Sequence, residues 1–212
     1  MIFHQISSGG DRNYGYLAGC EKTKKAVVVD PSPDPKPCFE KAQELGLTVE
    51  YVINTHTHFD HTGGNRFFKK KTNAKVVTHE SAFSGDVRVG DGETLTVGEL
   101  TLTFYHTPGH TMDSMCVLAG KELMTGDTLF VGKVGGTATR EQALVEFDSL
   151  KKLMTLEPDI RVWPGHNYGV RPTSNIGEEL KSNPFILRLN DFEDFFRLKE
   201  NWAAYKLEHG IA

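Results

Sequence analysis

The segment Thr55-His56-Thr57-His58-Phe59-Asp60-His61 comes directly after an apolar stretch, residues 49–54, that predicts a β-strand. It places four potential metal ligands within six residues, a density that ordinary structural histidines do not require. In an extended chain alternate side chains face the same way, so we expect His56, His58 and Asp60 to lie on one side. His61 is out of phase once the chain turns, and we expect it to face a second metal.

Three further potential ligands follow predicted strands in the same way, each directly after a glycine. They are His110 in Thr107-Pro108-Gly109-His110-Thr111, Asp127 in Gly126-Asp127-Thr128, and His166 in Pro164-Gly165-His166. In open α/β sheets, functional groups gather at the edge where the strands end. These three loops are therefore expected to meet the first segment in space.

Together the seven side chains, five imidazoles and two carboxylates, exceed what one tetrahedral zinc ion takes but suit two ions that share a ligand. We therefore predict two divalent metal ions as cofactors. Zinc is the first choice, and iron or manganese is compatible with the same mixture of ligands. Hydrogen-bonded histidines without a metal are disfavoured, because structural histidines have no reason to recur at glycine turns after strands.

The rest of the chain alternates strand and helix patterns. Strands are predicted at residues 1–6, 13–18 and 26–30, and the run Val27-Val28-Val29 indicates a strand buried on both faces. Four prolines between positions 31 and 37 are expected to delay the first helix until about Phe39. Sheets of mixed direction covered by helices predict an α/β protein with an αβ/βα sandwich architecture.

A single domain over residues 1–212 is predicted, because a chain of this length with 38% hydrophobic residues suffices for one packed core and is short for two. It ends in a short helical extension from about residue 172, with a helix expected over residues 178–207. The aromatic side chains of this extension are expected to pack against the domain rather than to recognise substrate. They are Phe185, Phe192, Phe195, Phe196 and Trp202.

Charge and composition exclude several classes of protein. The formal charge is −4 and no run of Lys or Arg exceeds the three at positions 69–71, which argues against a nucleic-acid surface. The polar first ten residues do not resemble a signal peptide, and no apolar run approaches membrane-spanning length. We therefore expect a cytoplasmic protein with no membrane partner.

Cys20, Cys38 and Cys116 are scattered and are expected to be reduced thiols. The sequence leaves the oligomeric state open.

The ordered pattern His-x-His-x-Asp-His, Pro-Gly-His, Gly-Asp and Gly-His resembles the metallo-β-lactamase superfamily over residues 1–168. Within it the chain looks most like glyoxalase II-like hydrolases, through Gly165-His166-Asn167-Tyr168 and Ser182-Asn183-Pro184-Phe185. The resemblance implies the four-layer sandwich of that fold. It also implies that His56, His58 and His110 hold the first metal, that Asp60, His61 and His166 hold the second, and that Asp127 bridges them.

The resemblance further implies hydrolysis of an S-(2-hydroxyacyl)glutathione thioester by a hydroxide shared between the metals. Asp127, as the bridge, and Asp60, which orients the hydroxide and helps to move its proton, are the expected catalytic residues. A small-molecule substrate, possibly a glutathione conjugate, is expected to contact Lys133, Tyr168 and Arg171. Because the glyoxalase II family continues into a helical domain that helps to bind glutathione, and only residues 169–212 follow here, glutathione specificity stays open. A flexible surface loop with a solvated Lys133 and a packing Tyr168 is the alternative.

Two other activities remain open at this point. Persulfide dioxygenases are similar in fold and motif but use one iron held by two histidines and a carboxylate, here His56, His110 and Asp127. A lactone or ester hydrolase would use the same hydroxide as the thioester hydrolase. Nucleases of the superfamily need a basic surface or an added domain that this sequence lacks.

Overall fold

The computed structural model describes residues 1–210, in which strands and short helices alternate through the first half of the chain. These elements are β1 (Ile2–Ser7), β2 (Tyr14–Gly19), β3 (Lys25–Val29), α1 (Lys36–Glu44), β4 (Thr48–Ile53), α2 (Phe59–Thr62), α3 (Asn65–Thr72), β5 (Lys75–His79) and β6 (Val87–Val89). The six strands form one sheet in the order β1-β2-β3-β4-β5-β6. β1 to β3 are antiparallel and β3 to β6 are parallel, so the sheet is mixed as predicted.

The second half of the chain builds a second six-stranded sheet and a two-stranded ribbon. Its elements are β7 (Thr94–Val97), β8 (Leu100–His106), β9 (Met115–Ala119), β10 (Glu122–Gly126), β11 (Leu129–Phe130), β12 (Lys133–Val134), α4 (Arg140–Leu153), β13 (Arg161–Pro164) and β14 (Ser174–Asn175). The sheet order is β14-β13-β10-β9-β8-β7, while β11 and β12 pair with each other. Only the β10–β13 pair of this sheet is parallel among the strands that the structure describes.

The central core lies between the two sheets. Val27 and Ile53 of the first sheet share it with Leu102, Phe104 and Met124 of the second. The opposite faces of the sheets are covered by helices: α1 and α3 pack on the first sheet, and α4 packs on the second. The resulting layers are helix, sheet, sheet and helix, which confirms the predicted four-layer sandwich.

Strand β3 illustrates why the sequence folds this way. Val27 and Val29 point into the central core, whereas Val28 packs under the outer helices, so both faces of the strand are buried. Its valines are fully enclosed, as the continuous β-branched run predicts. The predicted start of the first helix was wrong, since α1 begins at Lys36. Pro37 sits in its first turn, where a missing N–H costs no intrahelical hydrogen bond.

The predicted C-terminal helix is divided into shorter pieces: α5 (Ile176–Ser182), a 3₁₀ turn (Ile186–Arg188), α6 (Phe192–Glu200) and α7 (Trp202–His209). Phe195 packs on Phe147 of α4 and Phe185 packs on Phe195, so these two aromatics are buried in the domain as predicted. Trp202, in contrast, also lines a cavity that contains Lys133 and Tyr168. Residues 211 and 212 of the predicted extension lie outside the described residues.

No helix in the described part of the chain is both long and apolar enough to cross a membrane. Cys20, Cys38 and Cys116 are buried free thiols, as expected.

Candidate metal centre

The seven predicted ligands lie in loops and a short helix that follow strands of both sheets. His56 and His58 follow β4, Asp60 and His61 belong to α2, and the other three follow β8, β10 and β13. Their donor atoms form three overlapping groups, and in each group the donor atoms are no more than 4.8 Å apart. The groups are His56, His58 and His110; His56, His61 and Asp127; and Asp60, His61 and His166. The structure therefore brings all seven residues together.

The first cluster consists of His56, His58 and His110. His58 Nδ1 lies 3.0 Å from His56 Nε2 and 3.1 Å from His110 Nε2, so three ring nitrogens converge. Burial lowers the pKa of His56 well below its usual value, which keeps the ring neutral. Neutral imidazole nitrogens at this spacing are the donors that a tetrahedral metal ion takes.

The second cluster consists of Asp60, His61 and His166. His61 Nε2 lies 3.3 Å from His166 Nε2, and Asp60 Oδ2 lies 3.3 Å from His166 Nε2 and 3.6 Å from His61 Nε2. One carboxylate and two imidazoles again fit a divalent cation. The two clusters match the two ligand sets that the family resemblance implies.

Asp127 lies between the two clusters. Its Oδ1 is 3.4 Å from His61 Nε2, and its Oδ2 is 3.4 Å from His166 Nε2 and 3.7 Å from His110 Nε2. The side chain is only 11% exposed, and within residues 1–210 the buried Oδ1 has no hydrogen-bond partner. Burial favours protonation, but His166, His61 and His56 outweigh it and hold the pKa of Asp127 far below its usual range. A buried anionic oxygen without a donor fits a ligand shared by two cations.

Gly165 explains why a glycine precedes His166. A Cβ atom at this position would lie 2.4 Å from Asp127 Oδ1 and 2.9 Å from His61 Cε1. The glycine therefore lets the backbone of the His166 loop approach the bridging carboxylate.

One part of the sequence argument was wrong. His56, His58 and Asp60 were expected on one side of an extended stretch, but helix α2 begins at Phe59, with His58 as its extended N-cap residue. Asp60 and His61 are consecutive helical residues and belong to the same cluster, as the family resemblance implies.

Hydrogen-bond partners fix which ring nitrogen four of the five histidines present; the fifth, His58, turns Nδ1 toward His56 and His110. The Nδ1 atoms of His61, His110 and His166 each lie 2.8–2.9 Å from an oxygen, those of Asp30 Oδ2, the Gly136 carbonyl and the Asp11 carbonyl. His56 Nδ1 lies 3.2 Å from Thr55 Oγ1. With Nδ1 bound to these oxygens, Nε2 is presented to the cluster.

Asp30 was not predicted as a site residue. It directly follows β3, has a positive φ of 45° and is 2% exposed. Burial opposes protonation of His61, but the Asp30 carboxylate outweighs it and raises the pKa of His61 to about 9 in the metal-free protein. The sequence signal that could have identified Asp30 is its position, since it is an acidic residue directly after the apolar run 27–29.

Asn13 is a second residue that the sequence analysis missed. Its Nδ2 donates to Asp60 Oδ2 at 3.0 Å and to the Asp60 carbonyl at 3.2 Å. Asn13 is 1% exposed whereas the Asp60 side chain is 44% exposed, so a rigid buried amide holds a carboxylate that solvent can reach. This geometry orients Asp60 toward His61 and His166.

The three predicted substrate residues, Lys133, Tyr168 and Arg171, all line one cavity of about 620 Å³. Tyr168 stacks on His166 with ring centroids 4.5 Å apart and planes inclined by 3°, which places the cavity beside the second cluster. Arg171 also lines the cavity, but its guanidinium is paired with Glu178 at 2.8 Å.

The cavity carries an excess of positive charge. Arg12, Lys133, Arg171 and Lys206 line it together with the acidic residues Asp11 and Glu179. Burial, reinforced by Lys206, lowers the pKa of Lys133. Lys133 Nζ and the Arg12 guanidinium lie 5.1 and 4.8 Å from the centroid of the Tyr168 ring. A partly buried cluster of cations around an aromatic ring suits an anionic ligand.

Comparison with known proteins supports the geometry. Residues 9–84 and 78–166 match the metallo-beta-lactamase superfamily. The chain is 31% identical to a hydroxyacylglutathione hydrolase of Nitrosococcus oceani, over 87% of this chain and 72% of that protein. It is 28% identical to the probable polyketide biosynthesis zinc-dependent hydrolase BaeB of Bacillus velezensis, over 94% and 91% of the two chains.

A solved structure shows the same fold. The crystal structure of ETHE1 from Myxococcus xanthus superimposes with a TM-score of 0.88 at 35% identity, covering 95% of this chain and 91% of that one. Matches in sequence and structure thus extend over nearly the whole chain and include the loops that carry the seven side chains. The chain belongs to the metallo-β-lactamase superfamily and, within this superfamily of metal-binding proteins, is a glyoxalase II-like hydrolase that acts on a small molecule.

Proposed function

We propose that the chain hydrolyses a thioester of the S-(2-hydroxyacyl)glutathione type with two divalent metal ions. The observation that carries this proposal is the position of Asp127, whose two oxygens face both ligand clusters while Oδ1 is without a hydrogen-bond partner in the described residues. A carboxylate in this position can be shared by two cations, whereas a single iron at His56, His110 and Asp127 would leave its proximity to His61 and His166 without a role.

In this proposal the first ion is held by His56, His58 and His110 and the second by Asp60, His61 and His166. When bound, such a pair of cations lowers the pKa of a shared water toward neutrality and stabilises negative charge on a substrate oxygen. Zinc is proposed first, supported by the ligand types and by the zinc-dependent relative BaeB. Iron or manganese would accept the same ligands.

The protein's own residues orient the reaction. Asn13 holds Asp60 so that its exposed carboxylate can accept a proton from the attacking water. Water adds to the thioester carbonyl carbon, the C–S bond breaks, and the products are a carboxylic acid and a thiol. Because a thiolate leaves without strong acid assistance, no dedicated acid is required beside the sulfur.

Recognition is proposed to occur in the 620 Å³ cavity beside His166. A glutathione conjugate carries carboxylates, and the cavity offers Lys133, Arg12 and Lys206 to pair with them. Tyr168 forms the wall between this cavity and the metal ligands. Arg171 is a proposed contact as well, although it must share its charge with Glu178. The hydroxyacylglutathione hydrolase from Nitrosococcus oceani supports this substrate class.

A mononuclear-iron persulfide dioxygenase is the second candidate. Two histidines and one carboxylate, His56, His110 and Asp127, would hold the iron, and His110 Nε2 lies 3.7 Å from Asp127 Oδ2. ETHE1 is a persulfide dioxygenase, and the similarity of the chain to the ETHE1 structure supports this candidate. Under it, the Asp60, His61 and His166 cluster would have no metal to hold.

Metal analysis of the purified protein, combined with parallel assays on S-lactoylglutathione, glutathione persulfide and a simple lactone, tests the proposal. We expect two metal ions per chain and hydrolysis of the thioester in preference to the lactone. One iron per chain with oxidation of the persulfide and no thioester hydrolysis would replace the proposed function by the second candidate.

A further inference from the structure

A buried ion pair connects the C-terminal extension to the loops of the metal centre. Lys199 of α6 donates from Nζ to the carboxylate of Glu146 in α4 and, at 2.7 Å, to the backbone carbonyl of Gly135. The two side chains are only 10% and 1% exposed. Neither residue is among the seven ligands or the cavity cations that pair with substrate in the proposed function.

Glu146 lies directly beneath the loop that carries His110 and beneath Gly135. A Cβ atom on Gly109, the residue before His110, would lie 2.3 Å from the Cβ of Glu146. A Cβ atom on Gly135 would lie 2.0 Å from the Asp127 carbonyl oxygen and 3.0 Å from Glu146 Oε1. The backbone of Gly109, next to His110, therefore lies against Glu146, and Gly135 lies between the Asp127 carbonyl and Glu146, with no room for a side chain at either glycine.

The contact continues to the ring of His110. The Gly136 carbonyl accepts a hydrogen bond from His110 Nδ1 at 2.8 Å, and Gly136 follows the residue that Lys199 holds. Lys199 thus fixes one peptide of this loop, and the next peptide fixes the tautomer and orientation of His110. Such partners of metal-binding histidines set ligand orientation and metal affinity.

Stability alone does not account for the pair. Replacing a buried ion pair by apolar residues of similar volume is often neutral or stabilising. In the described part of the chain, Glu146 Oε1 also lacks a hydrogen-bond partner, an additional cost of burial. The specific effect of the pair is to hold the loop that carries Gly135 and Gly136, because Lys199 binds the Gly135 carbonyl.

We infer that Lys199, together with Glu146, is a positioning residue that orients His110 for the first metal ion through the Gly135–Gly136 backbone. The inference rests on the proposed two-metal site. It makes the C-terminal helix α6 part of the support of the metal centre, in addition to its packing on α4.

The test uses the full-length protein and five variants. Lys199→Met removes the cation, and Lys199→Met/Glu146→Leu removes both charges. Glu193→Gln is the matched control, because the Arg140–Glu193 pair also joins α6 to α4 but does not contact the Gly135 carbonyl. His166→Ala, alone and combined with Lys199→Met, isolates the cluster of His56, His58 and His110.

Zinc affinity is measured by competition with a chelator, and the stability of the metal-free proteins is measured by thermal unfolding. For Lys199→Met we expect about a tenfold loss of affinity at the first site, also in the His166→Ala background, and little change at the second site. The His110 Nδ1–H signal in proton NMR should shift or broaden. Glu193→Gln should retain wild-type zinc affinity.

The double variant separates positioning from stability. We expect its metal-free unfolding temperature to return to the wild-type value or above, while its first-site affinity stays low. Recovery of affinity together with stability would overturn the inference, as would wild-type affinity in Lys199→Met or equal losses at both sites. If the wild-type protein bound no zinc, the proposed two-metal function would fail first, and the inference with it.

Discussion

Asp30 Oδ2 accepts a hydrogen bond from His61 Nδ1 at 2.9 Å, and both side chains are almost completely buried. The same carboxylate also accepts from the backbone N–H of Thr55, at 2.9 Å, and from its hydroxyl. Asp30 therefore links the end of β3 to the start of the ligand loop after β4. It sets which nitrogen of His61 faces Asp60, His166 and Asp127.

Asp30→Asn should weaken metal binding at the second cluster. An asparagine has one acceptor oxygen where Asp30 uses two, so it cannot satisfy Thr55 and His61 together. We expect a 10- to 100-fold loss of affinity for the second ion, roughly the effect of losing an outer-shell partner. Zinc titration with a chromophoric chelator measures it. Asp86→Asn serves as the control, because the Asp86 carboxylate binds Lys69 and the backbone N–H of Val76 away from the metal centre. Unchanged second-site affinity in Asp30→Asn would show that His61 needs no such partner.

Glu146 should make the stability of the protein depend on pH. Burial, opposed by Lys199, raises its pKa from 4.5 to about 7. Between these values Glu146 binds more protons in the folded protein than in the unfolded chain, so its contribution to stability should fall as the pH rises from 4.5 to 7. The free energy of unfolding of Glu146→Gln should lack this decline. The difference between wild type and variant should change by up to about 3 kcal/mol across the interval. Urea unfolding of both proteins at a series of pH values measures it, and parallel curves would contradict the assignment.

Lys133 should contribute to substrate binding. It lies in the cavity beside Tyr168 and His166, where a charge-assisted contact to a substrate carboxylate is worth roughly 1.5–3 kcal/mol. Lys133→Ala should raise KM for S-lactoylglutathione about tenfold or more, with metal content unchanged and kcat less affected. Lys121→Ala, in an exposed lysine paired with Asp159, is the control. Equal kinetics of Lys133→Ala and wild type on all anionic thiol conjugates would shift the proposal toward lactones or uncharged esters.

His166 separates the two candidate activities. It belongs to the second cluster, which a one-iron enzyme does not use. His166→Ala should abolish thioester hydrolysis if two metals carry out the reaction. Persulfide oxidation should largely survive the same change if one iron at His56, His110 and Asp127 is responsible. Oxygen consumption with glutathione persulfide, measured beside thioester hydrolysis, distinguishes these outcomes.

The ligand set could be predicted from the sequence because its signals are local. A strand pattern, a glycine and a histidine or aspartate recur in short segments, and strand ends in one architecture lie near each other. This reasoning predicted that His110, Asp127 and His166 would lie near the first segment, and the structure brings them together. The expected common orientation of His56, His58 and Asp60 was wrong because helix α2 begins at Phe59 and ends the alternation.

The supporting residues could not be predicted in the same way. Lys199 and Glu146 are separated by 53 residues and meet only because α6 packs on α4. Charged side chains in helices are usually solvated, so nothing in the sequence marks these two as buried. Asp30 and Asn13 contact ligands across 31 and 47 residues, respectively, and depend equally on the packing of the first sheet.

The metal content of Asp127→Ala, determined beside the wild type by elemental analysis, tests the two-metal account most directly. Asp127 lies between both clusters, and its carboxylate oxygens lie within 3.7 Å of ring nitrogens of His61, His110 and His166. The account predicts two ions per chain in the wild type, and one or none in the variant, with thioester hydrolysis reduced by several orders of magnitude. Two ions per chain in Asp127→Ala, or hydrolysis at the wild-type rate, would contradict it.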